Sequence, residues 1–125
     1  MSSLPDIVLE AWQDRDGPAV LGTVDQAGNP NVIYVAAIKK LNDSQIAIAD
    51  CVFHKTRANI LTGSRGSFLF ITKAGKAFQL KGSLSYHTSG PVFEDTKTWL
   101  DSTYTLFAAV VFNIEVVYEG AEKLV

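Results

Sequence analysis

Leu106-Phe-Ala-Ala-Val-Val-Phe-Asn-Ile-Glu-Val-Val-Tyr118 is apolar almost throughout. A strand with one face in water alternates apolar and polar side chains, and the run from Ala108 to Phe112 does not alternate. It therefore reads as a long β-strand covered on both faces. One face belongs to a barrel interior, and the other to a helix or a second subunit. A chain of 125 residues offers little other cover, so a second subunit is the expected one. Asn113 and Glu115 interrupt the run, which falls short of the ~20 apolar residues a membrane-spanning helix needs.

Working outward, five more strands precede it. Residues 19–24 are short, β-like and bounded by turn residues. Asp25-Gln-Ala-Gly-Asn-Pro30 supplies a turn, and residues 31–41 return as a longer strand rich in Val, Ile and Tyr. After Asn42-Asp43-Ser44, residues 45–50 alternate Gln, Ile, Ala, Ile, Ala, Asp, which completes a meander. Residues 67–72 and 77–88 form a further hairpin. Gly82, inside the second of these strands, marks a bulge or a close backbone approach. Short helices are expected from Pro5 to Gln13, from His54 to Leu61, and after Ser89-Gly-Pro91, with Ser89 as the cap of the last. The expected fold is mainly β: a six-stranded antiparallel β-barrel with two or three short helices.

Composition narrows the class. Hydrophobic residues are 47% and charged residues 19% of the chain, the reverse of a disordered balance. The length fits one domain spanning 1–125. A net charge of −2 lacks the basic footprint of a nucleic-acid binder. With one cysteine, Cys51, no intrachain disulfide can form, and His54 and His87 add too little for a structural zinc site. The N-terminus shows no basic segment followed by an apolar one, so a cytoplasmic protein with no membrane partner is expected. HExxH, CxxC, GxSxG and Walker motifs are absent from the sequence.

One segment carries chemistry: Asp50-Cys-Val-Phe-His-Lys-Thr-Arg-Ala-Asn59. It places Lys55, Thr56 and Arg57 where a strand ends and a helix begins. A helix start suits a phosphate, to which Lys55 adds a charge and Thr56 a hydroxyl. On chemistry alone, such a cluster is more often an exposed helix start with no ligand. His54 is read either as a cap of the strand-to-helix turn or as a cofactor contact.

The order of elements, with His54-Lys55-Thr56 before Ala58-Asn59, Gly82 after Lys81, and Phe93-Glu94 leading to Ala108-Ala109-Val110, resembles a known group. It is similar to the FMN-binding split barrels related to pyridoxamine 5'-phosphate oxidase, above all the small bacterial FMN-binding proteins among them. The resemblance implies that Lys55 and Thr56 hold the FMN phosphate. It implies that Val32, Ile33 and Tyr34 run beside the flavin ring, and that Asp50, Cys51 and His54 lie near it. It further implies a homodimer in which Tyr104, with Phe107 second, covers the ring of the partner. Cys51-Val52-Phe53 is bulkier than the glycines found there in some relatives. The true oxidases carry a later segment with Arg and His that grips their substrate, and Glu119 to Val125 holds neither. An electron-transfer or small-substrate redox role is thus expected, with the catalytic residues and redox partner unassigned. The competing reading is a flavin-free dimer that binds or senses, which would be colourless.

Overall fold

The computed structural model describes residues 4–125. Three helices and eight strands follow in order: α1 (Asp6–Gln13), β1 (Ala19–Val24), β2 (Pro30–Val35), β3 (Ile38–Asn42), β4 (Gln45–Asp50), α2 (Lys55–Leu61), β5 (Gly66–Ile71), β6 (Ala77–His87), α3 (Pro91–Trp99), β7 (Ala108–Glu119) and β8 (Glu122–Lys123). Neighbouring strands are antiparallel, in the order β2-β1-β5-β6-β7-β4-β3, with β8 paired to the far end of β7. The mainly β, split-barrel expectation holds.

The strand count does not hold: the continuous path has seven strands rather than six. Residues 31–41, expected as one strand, break at Ala36-Ala37 into β2 and β3. These two strands lie at opposite edges of the sheet. In a flat sheet, six spacings of about 4.8 Å would put them about 29 Å apart. Ala36 and Ala37 bridge at most about 11 Å, three Cα steps of 3.8 Å. The sheet must therefore curl until its two edges meet. A single strand at 31–41 would have stayed beside β1 and never reached β4. The corner is pinned where Ala49 N–H donates to Ala37 O at 2.9 Å and Ile38 N–H to Ala36 O at 3.0 Å.

Inside the curl, Phe68, Phe78, Phe112, Leu21, Ile46, Ile48 and Leu80 are fully buried. Trp12 of α1 joins them, edge-on to Phe70 at 5.5 Å between ring centres and 5.9 Å from Phe68. On β7, Ala108, Val110 and Phe112 turn inward, while Ala109 and Val111 face out yet stay buried. Two-sided cover is as expected, but within one chain it comes from α3, which packs on β4 and β7. The outward residues there are small: Ala47 opposite Val111, and Ala49 opposite Ala109. This alanine floor lets the helix approach closely, and Thr96 on its underside is fully buried. Gly90 occupies the N-cap of α3 in place of Ser89, because the chain turns there with φ +93, a conformation glycine adopts freely.

Gly82 proves to be both a bulge and a close approach. The β6–β7 register shifts between Lys81 and Gly82, and a Cβ on Gly82 would lie 1.8 Å from the Asn113 carbonyl oxygen. That oxygen is backbone and cannot swing aside. Gly82→Ala should lower stability by about 3 kcal/mol or more, and the melting temperature by about 10 °C. Gly22 is a strand glycine whose added Cβ would meet nothing nearer than 3.6 Å. Gly22→Ala should be neutral or stabilising by up to about 1 kcal/mol. Thermal unfolding of the two variants checks both expectations.

Candidate functional site

The strand β2 connects two local environments. At its start, Asn31 Nδ2 donates to Thr56 Oγ1 at 3.1 Å. Three residues on, about 10 Å along a strand, Tyr34 lines a cavity of about 550 Å3. The cavity lies where β2 gives way to β3. Its walls include Val35, Ala36, Ala37, Cys51, Phe53 and Tyr104. Its volume falls within the range of small-molecule sites, and its walls are mostly apolar.

Each expected site residue has a definite place. Val32 and Tyr34 project from one face of β2 and are 69% and 77% exposed, whereas Ile33 turns inward against the core. Among the described residues β2 pairs only with β1, so its other edge is free. Cys51 and Tyr104 meet Tyr34 at the cavity. His54 is exposed, and its side chain makes no capping bond at the start of α2. Thr56 is only 1% exposed, and its hydroxyl accepts from Asn31 while donating to nothing among the described residues. A hydroxyl carries one donor beside its acceptor sites, so this proton is unspent.

Of the three cations on α2 and just beyond its end, two are committed. Arg65 pairs with Glu115. Arg57 grips Asp50 through Nε at 2.8 Å and Nη2 at 3.0 Å, with its guanidinium 4.0 Å from the centre of the Phe107 ring. Lys55 is exposed and forms no ion pair among the described residues. Two amide–hydroxyl bonds hold the helix itself, the part-buried Asn31–Thr56 bond and a buried one from Asn59 Nδ2 to Thr23 Oγ1 at 3.0 Å. Because α2 is only seven residues long, its side chains and not its dipole supply the chemistry.

Asp50 points into the protein rather than into the cavity. It is fully buried, and beyond Arg57 it accepts from Phe53 N–H at 2.9 Å and from the Tyr86 hydroxyl at 2.6 Å. Burial pushes its pKa up, but the bonds from Arg57, Tyr86 and Phe53 and the Arg57 charge outweigh that and hold it below the ordinary value. Burial and the Asp50 partner push Tyr86 up to about 12. Burial, then the Asp50 charge, also raises the Cys51 thiol, which stays protonated at neutral pH. Asp101, at the cavity wall, is held low by the Thr103 N–H and hydroxyl. Neither Cys51 nor Asp101 is poised to exchange a proton near neutrality.

Asn31, Tyr86 and the Asp50–Arg57 pairing escape sequence reasoning. Their partners lie on other elements, and only the five-residue KTRAN context hinted at α2. Trp99, also missed, lines the cavity, and its indole N–H is buried with no partner among the described residues. Among the described residues no three His, Cys, Asp or Glu side chains group as a metal site, and no helix is long and apolar enough to cross a membrane.

The family model described as pyridoxamine 5'-phosphate oxidase matches residues 8–119. No curated protein matches the sequence. Among solved structures, the chain is similar to HupZ of Group A Streptococcus, at 18% identity and TM-score 0.81, covering 93% of each chain. It is similar to an FMN-binding protein from Syntrophomonas wolfei, at 23% identity and TM-score 0.76, covering 88% of this chain and 81% of that one. A pyridoxamine 5'-phosphate oxidase-related, FMN-binding protein from Nostoc punctiforme shares 13% identity at TM-score 0.74, covering 98% of this chain and 90% of the other. At these identities the likeness shows the fold.

The Asp50 cluster sets the response to pH. Asp50→Asn should destabilise the fold by about 3 kcal/mol, the low end for breaking a buried pair because Arg57 keeps some contact with water. The folded pKa of Asp50 lies below its unfolded value of about 3.9. Its contribution is therefore complete above that value and is lost as pH falls through the folded pKa. Urea unfolding from pH 2.5 to 6 should show stability falling on acidification in the wild type, with a shallower fall in Asp50→Asn. Tyr86 behaves oppositely. Its contribution is present below about pH 10 and is lost as pH rises towards its raised value of about 12.

Proposed function

The chain belongs to the pyridoxamine 5'-phosphate oxidase family, and on that footing we propose that it is a homodimeric flavoprotein that binds FMN along β2, with an electron-transfer or small-substrate redox role. One observation carries the reading. The unpaired Lys55 ammonium and the unspent Thr56 hydroxyl lie at one end of β2, and an apolar cavity lies at the other.

The chemistry of these residues fits the cofactor. A phosphate calls for a free cation and a hydrogen-bond donor, which Lys55 and Thr56 offer. A planar aromatic ring calls for apolar walls and a few polar groups, which the cavity and the free edge of β2 offer. Asn31 orients the Thr56 hydroxyl, while Val32 and Tyr34 supply the exposed apolar face between the two ends. Bound flavin supplies the redox chemistry, and the protein supplies binding, orientation and exclusion of water. The names of the Syntrophomonas and Nostoc relatives support FMN as the ligand.

Dimerisation is read from the exposed apolar side chains. Val32, Tyr34, Val52, Tyr104 and Phe107 are all more than half exposed. Tyr34, Val52 and Tyr104 border one cavity. A cluster of this kind marks an interaction surface, and a second copy would cover it and complete the cavity wall.

Purified protein should be yellow, and FMN should be released on denaturation. A charge-assisted hydrogen bond contributes roughly 1.5–3 kcal/mol, so Lys55→Ala should weaken FMN about 10- to 100-fold. Riboflavin lacks the phosphate, and its affinity should barely change. Flavin fluorescence titration of apoprotein measures both, and equal FMN affinities in wild type and variant would remove the phosphate reading. Light scattering should give twice the 13.6 kDa chain mass. Val52 is 83% exposed, so Val52→Glu should leave the folded monomer stable to within about 0.5 kcal/mol while shifting the mass towards 13.6 kDa.

A further inference from the structure

One carboxylate closes the loop that carries most of the candidate residues. The chain leaves β4 at Asp50, runs through residues 51–56 and returns to the same side chain at Arg57. Asp50 Oδ2 accepts from Arg57 Nε at 2.8 Å and from the Tyr86 hydroxyl at 2.6 Å. Oδ1 accepts from Arg57 Nη2 at 3.0 Å and from Phe53 N–H at 2.9 Å, inside the loop. A carboxylate has about four acceptor sites, and these bonds use them. Cys51, His54, Lys55 and Thr56 all lie within the closed segment.

We infer that Arg57 is a positioning residue: by gripping Asp50 in a two-bond fork it fixes the direction in which Lys55 and Thr56 present their donors to the FMN phosphate. This rests on the flavin reading above. Arg57 already pairs its charge with Asp50 through two of its five N–H donors and lays its plane over the Phe107 ring, so Lys55 is the cation left for the phosphate. The paired fork restricts angle as well as distance, which a lysine ammonium cannot reproduce. A ligand-holding loop set before binding avoids the ordering cost that a loose loop meets on binding. Tyr86 acts on the same carboxylate from β6, and Phe53, buried beside the cavity, holds the middle of the loop.

The test is a double-mutant cycle in flavin binding. Arg57→Lys keeps the charge and loses the fork. It should weaken FMN about tenfold, as for one lost charge-assisted bond, and leave riboflavin within about twofold. In a Lys55→Ala background the same change should alter FMN affinity less than about threefold, because the charged donor is gone and only the neutral Thr56 hydroxyl is left to position. Tyr86→Phe removes one bond to Asp50 and keeps the packing. It should show the same pattern at about threefold, and it serves where Arg57→Lys does not fold. The proposal is overturned by equal losses of FMN and riboflavin, by a full loss that persists without Lys55, or by unchanged FMN affinity. Amide hydrogen exchange on the apoprotein separates this idea from the flavin reading. Arg57→Lys should speed exchange in residues 52–57, and unchanged exchange there overturns the positioning role even if no flavin binds. A wild type that binds FMN no better than riboflavin, with exchange at 52–57 still accelerated in the variant, sinks the phosphate reading and with it the role of Arg57 towards the cofactor.

Discussion

Two alanines impose the shape of this molecule. Ala36 and Ala37 must join strands that lie at opposite edges of a seven-strand path, and a link of about 11 Å cannot span a flat sheet about 29 Å wide. Curling is a covalent requirement, and hydrophobic collapse then fills the space inside it with phenylalanine, leucine and isoleucine. The same link creates a seam where β2 hands over to β3, two edge strands that do not pair with each other. The cavity is bordered by the residues of that seam. A binding place thus arises where the topology leaves the sheet incomplete.

Asp50 provides a second organising centre. An uncompensated carboxylate in the interior is strongly unfavourable, yet here it accepts four hydrogen bonds from a neighbouring loop, a helix and β6. Its carbonyl also accepts from Phe107 N–H at 2.8 Å, tying in the segment that carries Tyr104. One buried charge therefore couples the helix that offers Lys55 to the loop that borders the cavity. Stability and site geometry share a single support, and a change at Asp50 disturbs both.

Much of the architecture was legible in the sequence because it follows from short-range patterns. The strand at 45–50, the turn residues around Gly28, the apolar run of β7 and the glycine at 82 each carry a local physical meaning and read correctly, although 45–50 does not complete a meander with the two strands before it, because the corner at Ala36-Ala37 sends it to the other side of the sheet. Two readings failed because their causes are long-range. Nothing local separates a strand from two strands meeting at a corner, and the only trace of the break is a pair of small alanines amid Val, Ile and Tyr. The outer face of β7 is covered by α3, a contact made possible by alanines on β4 far away in sequence. In the site, residue types at α2 were readable, and Tyr34, Cys51 and Tyr104 do converge on one cavity. The partners that decide which cation is free, Asp50 for Arg57 and Glu115 for Arg65, come from distant strands. The full set of partners of the Asp50 side chain, Phe53 N–H, Arg57 and the Tyr86 hydroxyl, likewise leaves no local trace in the sequence.

The two strands that flank the seam differ in how they guard their open edges. Along β3 stand Lys39 and Lys40, and its pairing with β4 is irregular between Lys40 and Asn42. Lysines and register faults of that kind discourage a foreign strand from adding to an edge. Along β2 the outward side chains are Val32 and Tyr34, uncharged and in unbroken register with β1. Only Pro30, at its first position, lacks a donor. An edge so apolar and regular is a template for self-association whenever it is bare. Whatever covers β2 in the folded assembly therefore also protects the chain from misassembly, and protein made without that cover carries its aggregation risk in these six residues, Pro30–Val35.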